Sequence, residues 1–388
     1  MRFFHLSDMH IGKRLNGYSL QENQEQVLGQ IVNYARERHP DAILICGDIY
    51  DKTAPSGEAY TLFGWFLEEL SRIRPRIPVL IIAGNHDSPE RLAYAGSFLE
   101  KHRIYLSVMP PSGPEEHLKQ IVLEDEEGEV TFWMLPFLKP GYVRRLAEGK
   151  EPLSWEGAVR LVLEREQIDF SKRNVILSHQ FYAGEGRNPE TCDSEQAVLL
   201  AGGLDQVPAS LLEKFDYAAL GHLHGAQQAG KPWIRYCGTP YKYSVSEQYH
   251  QKAVLEVTLG AKGEPVTWES LPLCGVQDVR AIRGTLEELL DRAGGKICRD
   301  FVSVTVTGEE ELYHVREKLE EVYPFLLDFR VENSRMRQAL QGEEEPLPVQ
   351  SPLETFGQFY EAVTGQELTA EQETWMEQTV DAVKEERR

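Results

Sequence analysis

Polar residues of the kinds that bind metals and move protons recur in five short clusters along this 388-residue chain. Each cluster directly follows an apolar run of the length expected for a buried strand. Side chains two positions apart in an extended segment point to the same side, so Asp8 and His10 can reach one centre. The same spacing relates His222 to His224. The clusters are Asp8-Met9-His10, Gly47-Asp48-Ile49-Tyr50-Asp51, Gly84-Asn85-His86-Asp87, the single His179, and Gly221-His222-Leu223-His224.

The donors in these clusters are carboxylate, imidazole and amide groups, without a thiolate. Such a set favours Mn²⁺, Fe or catalytic Zn²⁺, and the several imidazoles argue against a site that holds only Mg²⁺. The donors are too many for one ion, whereas a carboxylate can bridge two, so we predict a two-metal site bridged by Asp48. Two ions about 3.5–4 Å apart share a water or hydroxide of lowered pKa and clamp the charge that develops at phosphorus. The clusters therefore predict metal-assisted hydrolysis of phosphoesters.

The third cluster carries two further assignments. His86 lies in the same turn as the predicted ligand Asn85, and we predict that it donates a hydrogen bond or proton to the phosphate or the leaving oxygen. Asp87 is predicted to orient His86. Each polar residue, taken singly, has a structural alternative as a turn, cap or core residue. Five clusters in order, each after a strand-like run, are not explained by that alternative.

The elements that must position these clusters alternate between strand and helix patterns over the first 275 residues. This alternation predicts an α/β fold, with the clusters at the carboxyl ends of strands, where open sheets bind ligands. Strands are predicted at 3–7, 42–46, 79–83, 130–135, 175–178, 217–220 and 253–259, and helices at 22–37, 57–72 and 155–168.

Residues 276–340 are predicted to form a small α+β domain. It carries no polar cluster, so we expect it to cap or pack against the first domain, residues 1–275, and not to hold a second active site. Residues 341–352 combine acidic residues with Pro and Gly and are predicted to be a linker.

Two amphipathic helices are predicted within residues 353–388. A capping box of Thr369 and Gln372 begins the second helix, after Gly365. The two helices either fold back on the body or dock on another protein, and the acidic linker favours docking. Their apolar faces consist of Leu353, Phe356, Phe359, Tyr360 and Val363 in the first, and Met376, Val380 and Val383 in the second.

The formal net charge of -21 argues against a surface that neutralises nucleic-acid phosphates by itself. Bound divalent cations would add positive charge at the site, much of the acid lies far from the clusters, and a partner could supply basic surface. Lys13, Arg14 and Arg91 follow the first and third clusters and are candidate contacts to a DNA backbone. Solvated surface charge is the alternative for these three residues.

Cysteine usage and hydropathy indicate the compartment. The five cysteines are an odd number without C-x-x-C spacing, so we expect reduced thiols. No apolar stretch approaches the roughly 18 residues needed to span a bilayer, and no charged-then-apolar leader opens the sequence. We therefore expect a soluble, cytoplasmic protein.

The motifs D-x-H, G-D-x-x-D, G-N-H-D, a single H and G-H-x-H resemble those of the calcineurin-like metallophosphoesterase superfamily over most of residues 1–275. The resemblance implies a four-layer α/β/β/α sandwich. It also implies that His86 acts on the transition state. The metal ligands that it implies are Asp8, His10, Asp48 and His224 for one ion, and Asp48, Asn85, His179 and His222 for the other.

Within the superfamily, the stretch from His5 to Gly12, the sequence G-D-I-Y-D and the small domain, linker and terminal helices look like the SbcD family of bacterial recombination nucleases. This resemblance implies Mn²⁺-dependent DNA cleavage, exonucleolytic on duplex ends and endonucleolytic on single strands and hairpins. It implies a homodimer that binds SbcC, an SMC-like ATPase, through the terminal helices. Archaeal and eukaryotic relatives often carry His where this chain has Asp51, so this turn does not supply a second imidazole near the phosphate. Asp51 is therefore only a candidate to contact the metal ligands, without binding a metal itself.

Two other functions remain open from the sequence. A phosphomonoesterase or a small cyclic-phosphodiester hydrolase of the same superfamily would use the same ligands but would leave the terminal helices without a task. A scaffold that has lost catalysis is disfavoured because a competent residue fills every ligand position.

Overall fold

The computed structural model describes residues 1–147, 153–184, 189–196, 205–294, 296–308 and 315–332, with scattered positions between 356 and 376. The predicted linker and much of the predicted terminal helices lie outside the described residues. None of the helices in the described ranges is long and apolar enough to cross a membrane. All five cysteines are free thiols, as predicted.

The strands carry the labels used below. In chain order they are β1 (Arg2–Leu6), β2 (Arg14–Leu15), β3 (Tyr18–Ser19), β4 (Ala42–Cys46), β5 (Val79–Ile82), β6 (Ile104–Ser107), β7 (Lys119–Asp125), β8 (Gly128–Leu135), β9 (Arg173–His179), β10 (Tyr182–Ala183), β11 (Val207–Pro208), β12 (Tyr217–Gly221), β13 (Gln227–Gln228), β14 (Ile234–Tyr236), β15 (Ala253–Thr258), β16 (Thr267–Pro272), β17 (Val279–Gly284), β18 (Phe301–Thr307) and β19 (Leu326–Glu332).

The helices are α1 (Gln21–Arg38), α2 (Gly57–Arg72), α3 (Pro89–Leu92), α4 (Gly96–Glu100), α5 (Trp155–Arg165), α6 (Asp193–Gln196), α7 (Leu286–Arg292) and α8 (Val315–Val322). Short 3-10 helices span Ala93–Ala95, Pro140–Val143, Ala209–Leu212 and Val245–Glu247.

Two six-stranded sheets in the described part of the chain carry all five polar clusters. The first has the order β16-β15-β1-β4-β5-β6 and is parallel from β1 to β6. The second has the order β13-β14-β12-β9-β8-β7 and is parallel from β14 to β8. Parallel strands end at the same edge of a sheet, so β1, β4 and β5 deliver three clusters together, and β9 and β12 deliver the other two.

Side-chain alternation along the strands builds the layers. In β4, Leu44 and Cys46 lie in the core between the two sheets, whereas Ile43 and Ile45 pack in the core that the first sheet shares with α1 and α2. A third core lies between the outer face of the second sheet and α5. Strands covered on both faces are apolar along their whole length, and they can therefore be recognised in the sequence as uninterrupted apolar stretches. The predicted four-layer α/β/β/α fold is confirmed.

The region predicted to be α+β forms β17, α7, β18, α8 and β19. Val279 and Phe301 belong to the same core as α1 and α2, and the Asn23 side chain donates a hydrogen bond of 2.9 Å to the Gln277 side chain. One compact unit therefore comprises Met1–Thr305 with Tyr313–Phe329, and the other comprises Val306–Leu312 with Arg330–Arg388. The domain boundary at residue 276 stays a prediction.

The capping box predicted in the C-terminal unit is present. Thr369 Oγ1 accepts a hydrogen bond of 3.4 Å from the Gln372 backbone N–H, and Gln372 Oε1 accepts one of 2.9 Å from the Thr369 backbone N–H. The Gln372 amide also donates to the Tyr360 hydroxyl at 3.1 Å. Because Tyr360 is on the first predicted helix, this bond ties the two predicted helical segments together.

Glycines in the clusters let the strand ends touch. A Cβ at Gly84 would overlap the Asp48 side chain, and a Cβ at Gly221 would overlap the carbonyl oxygen of Cys46. Gly221 belongs to the second sheet and Cys46 to the first. The missing side chain at Gly221 therefore permits direct contact between the site-bearing ends of the two sheets.

Gly221→Ala should destabilise the protein by about 1–3 kcal/mol, because the added methyl group forces the two sheet ends apart. The control is Gly64→Ala on α2, where the Cβ meets no atom within 4 Å and the change should stabilise by about 1 kcal/mol. Urea denaturation of both variants measures the difference. A Gly221→Ala protein that unfolds at the same urea concentration as the parent would contradict the close approach.

Candidate metal centre

Left-handed backbone conformations mark the predicted ligands. Asp8, His10 and Asp48 have φ values of 50°, 42° and 50°, and His222 has a φ of 104°. Such conformations cost about 1–3 kcal/mol each in residues other than glycine and persist only where the surroundings hold them. Here the Asp8 backbone N–H donates to the Gly47 carbonyl at 2.9 Å, and that of His10 donates to the Asp48 carbonyl at 3.0 Å. The first two clusters are therefore locked together through their backbones.

One group of donors comes from both sheets. Asp8, His10 and His224 each offer a donor atom, and these atoms lie within 4.8 Å of one another. The Nε2 atoms of His10 and His224 are 3.2 Å apart, and Asp48 Oδ2 lies 3.7 Å from His10 Nε2. All four side chains are buried. They are the four residues predicted for the first ion.

A second group lies beside the first and shares Asp48 with it. Asp48 Oδ2 is 3.4 Å from His179 Nε2. Asn85 Oδ1 is 3.0 Å from His179 Nε2 and 3.0 Å from His222 Nδ1. The structure thus brings together the residues predicted for the second ion, with Asp48 placed between the two groups.

Burial sets the charge of the imidazoles and carboxylates. It lowers the pKa of His222 to about 3 and raises the pKa of Asp8. Burial also disfavours the charged forms of His179 and Asp48, but their attraction outweighs it, raising the pKa of His179 to about 9 and lowering that of Asp48 well below its ordinary value. His222 is therefore neutral, which is the form that binds metals, whereas a metal ion would have to displace a proton from His179.

The hydrogen bond of His179 fixes which ring nitrogen faces the site. Its Nδ1 lies 2.7 Å from the Cys46 carbonyl oxygen, which can only accept, so Nδ1 carries the hydrogen. Nε2 then points toward Asp48 and Asn85 and is the nitrogen that would bind a metal ion. His10 Nδ1 is buried without a hydrogen-bond partner among the described residues. The converging oxygen and nitrogen donors fit a pair of divalent cations.

His86 is half-buried beside the two groups. Its backbone N–H donates to Asp48 Oδ1 at 2.8 Å, and its Nδ1 lies 2.9 Å from the Asp51 carbonyl oxygen. A donor atom of His86 also lies within 4.8 Å of donors on His10 and Asp48, close enough for a ligand. The assignment of His86 to catalysis and not to metal binding therefore stays a prediction.

The role predicted for Asp87 is wrong. Its carboxylate does not orient His86, whose Nδ1 is held by the Asp51 carbonyl. Asp87 instead accepts three backbone N–H bonds, from Ile49 at 3.2 Å, Tyr50 at 3.1 Å and Gly84 at 2.9 Å. Burial, together with the nearby Asp48, raises the pKa of Asp87 to about 6. Asp87 thus joins the second cluster to the third through the main chain.

Four further residues were predicted to lie near the site, namely Asp51 beside the ligands and Lys13, Arg14 and Arg91 as contacts to a DNA backbone. Asp51 Oδ1 lies 3.8 Å from His10 Nδ1 and accepts an ion-pair hydrogen bond of 2.8 Å from Lys13. Arg14 donates to a backbone carbonyl within the β2-β3 hairpin, and Arg91 is exposed on α3. The charge of Lys13 is therefore partly neutralised by Asp51, whereas that of Arg91 faces solvent.

Several side chains that hold the ligands carried almost no signal in the sequence. Ser194 Oγ lies 2.7 Å from His224 Nδ1, and the Gln24 side chain donates to the His10 carbonyl at 2.8 Å. Ser194 stands in no cluster and follows no strand. Gln24 was detectable in principle, because it is a polar residue on the buried stripe of α1.

Asp87→Asn should destabilise the protein by about 1.5–3 kcal/mol, because an amide cannot accept the same three N–H bonds as a carboxylate. Urea denaturation of the metal-free protein measures this cost. Loss of activity at unchanged stability would instead indicate that Asp87 acts on His86.

Comparisons with known proteins show the family of this chain. The sequence model of the calcineurin-like phosphoesterase family matches residues 1–226, and that of the type 5 capsule protein repressor C-terminal domain matches residues 276–364. A relative from Staphylococcus epidermidis, named as the SbcD subunit of the nuclease SbcCD, is 30% identical over 332 residues, which are 84% of this chain and 84% of the relative. A relative of the same name from Staphylococcus saprophyticus is 26% identical over 389 residues, covering 100% of this chain and 99% of the relative.

The residues matched by the phosphoesterase model include all five clusters, from Asp8 to His224. The predicted enzyme class, a metal-dependent phosphodiesterase of the nuclease type, is confirmed by these matches. The chain belongs to the calcineurin-like phosphoesterase family and, within it, to the SbcD family of nuclease subunits.

Proposed function

We propose that this chain cleaves DNA phosphodiesters with two Mn²⁺ ions, as a duplex exonuclease and as an endonuclease on single strands and hairpins. The observation that carries the proposal is the convergence of seven buried or half-buried donor residues at one edge of two sheets. Oxygen and imidazole donors without sulfur suit Mn²⁺. One ion is assigned to Asp8, His10, Asp48 and His224, and the other to Asp48, Asn85, His179 and His222.

When bound, two such ions supply an activated water near neutral pH and positive charge beside the phosphorus. Asp48 lies between the donor groups and would hold both ions. His86 Nδ1 donates to the Asp51 carbonyl, which leaves Nε2 to donate a hydrogen bond or proton toward the phosphate or the leaving oxygen. That donation requires the imidazolium form, in which both ring nitrogens carry hydrogen. Asp87 keeps the turn that carries His86 in place by its three backbone hydrogen bonds.

DNA as the substrate has to be reconciled with the net charge of -21. Lys13, Arg14 and Arg91 are proposed backbone contacts near the first and third clusters. Lys139, in the segment that follows β8, adds a cation. Its Nζ lies 5.8 Å from the centre of the Phe137 ring, which is 6.3 Å from the His179 ring. Cations held by the site and basic surface of a partner supply the remaining attraction.

The partner we propose is an SMC-like ATPase, SbcC, because the curated relatives carry the name of a component of SbcCD. Residues 353–388 are the proposed docking segment, in which the Trp375 side chain is 74% exposed beside Met376.

A homodimer is proposed because Tyr94 and Phe98 are 92% and 61% exposed near α3 and α4. The five free thiols favour the cytoplasm as the compartment.

The purified chain with Mn²⁺ should degrade duplex and hairpin DNA, and ATP dependence should appear only when SbcC is added.

His86→Ala should keep both metal ions but lose about 10²–10⁴-fold in turnover, because the donor to the phosphate is gone. Nuclease assays and metal analysis of both proteins measure these effects.

Two outcomes would change the assignment. Hydrolysis of small phosphomonoesters or cyclic diesters with DNA left intact would point to the other enzymatic function. A fall in the metal content of His86→Ala would make His86 a ligand.

Trp375→Ala should weaken SbcC binding by about 2 kcal/mol or more, roughly 30-fold, as expected for an aromatic residue at the centre of an interface. The matched control is Tyr249→Ala, which removes an aromatic side chain that is 86% exposed in the other unit. Binding of full-length variants to SbcC, measured by calorimetry, compares the two. Equal affinities would refute docking through Trp375.

A further inference from the structure

His224 is held by side chains that lie behind it, away from the other donors. Its Nδ1 is 2.7 Å from Ser194 Oγ, and Ser194 Oγ is 2.8 Å from Glu247 Oε1. Glu247 is fully buried and forms an ion pair of 2.6 Å with Lys252, which is 8% exposed. The chain of contacts from His224 through Ser194 and Glu247 to Lys252 is called the Ser194 relay below.

The chemistry of these groups fixes where each hydrogen lies. Glu247 is ionised by its pairing with Lys252, so its oxygen can only accept, and the Ser194 hydroxyl must donate to it. Ser194 Oγ then uses a lone pair to accept from His224 Nδ1–H. The hydrogen of the neutral ring is thereby placed on Nδ1, and Nε2 keeps the lone pair that a metal ligand needs.

The backbone of His224 is anchored by the same surroundings. Lys252 Nζ donates to the His224 carbonyl at 3.0 Å, and Glu195 accepts from the His224 backbone N–H. Ser194 and Glu195 are neighbours on α6, whereas Lys252 directly precedes β15. The ring and the backbone of His224 are therefore held by hydrogen bonds from two separate parts of the fold.

The two donor groups differ in how their histidines are oriented. His179, in the second group, is oriented by the main-chain carbonyl of Cys46. His224, in the first group, depends on side chains. A side-chain substitution at Ser194 can therefore perturb one group and leave the other intact.

We propose that Ser194, Glu247 and Lys252 are positioning residues that present His224 Nε2 to the first of the two ions and so set the affinity of that ion alone. The proposal rests on the ligand assignment made above for the proposed function. Ser194 is the informative position, because Glu247 also accepts from the Tyr243 backbone N–H and the Ser244 hydroxyl and therefore holds its own loop.

Ser194→Ala in the full-length protein should weaken the binding of one Mn²⁺ ion by about 10–100-fold and leave the other unchanged. Ser194→Thr keeps a hydroxyl and should restore the affinity. Titration with Mn²⁺, followed by electron paramagnetic resonance and calorimetry, resolves the two ions without an activity assay. Ser154→Ala is the matched control: it removes the serine cap of α5, so it should lower the melting temperature and leave both Mn²⁺ affinities unchanged.

His224→Ala separates failure of the relay from failure of the ligand set. If His224→Ala loses one ion while Ser194→Ala keeps both affinities within twofold of the parent, the relay is refuted and the ligand set stands. An equal loss of both ions in Ser194→Ala also refutes the relay, because the effect would not be confined to one group. If His224→Ala binds both ions normally, the ligand assignment fails and the relay with it.

Discussion

The hydrogen bond from His179 to the Cys46 carbonyl is the contact on which the site depends. It crosses from the second sheet to the first at the edge where the clusters meet, and it fixes the ring nitrogen that faces Asp48. The bond can form because Gly47 and Gly221 leave no side chain between the strand ends. The same hydrogen bond therefore joins the two sheets and orients His179, a candidate metal ligand.

The site is assembled at an energetic cost to the chain. Left-handed backbone at candidate ligands, buried carboxylates and buried imidazoles each raise the free energy of the folded state. Backbone hydrogen bonds offset part of that cost, including those that Asp87 accepts from two clusters. Asp48 is the most constrained of these residues, since its backbone is left-handed and its carboxylate serves both donor groups.

Much of the fold was predictable because buried parallel strands are apolar throughout and end in polar clusters. More polar strands were missed: β7 alternates between half-buried and exposed residues, and β16 is largely exposed, so neither forms an apolar run. The candidate ligands were found from the ends of predicted strands, whereas the side chains that contact them from behind were not. Ser194 and Glu247 meet His224 only through tertiary packing, and the role of Asp87 was misassigned because its carboxylate turns back to the backbone.

The candidate ligands are widely separated along the chain, from Asp8 near its start to His224. No shorter stretch of the sequence holds both donor groups, because His179 and His222 meet Asn85 from strands far along the chain. During synthesis, a nascent chain that has not yet emerged past residue 224 has no complete set of ligands. The order of synthesis thus delays a complete set of candidate ligands until the matched phosphoesterase region, residues 1–226, has been made.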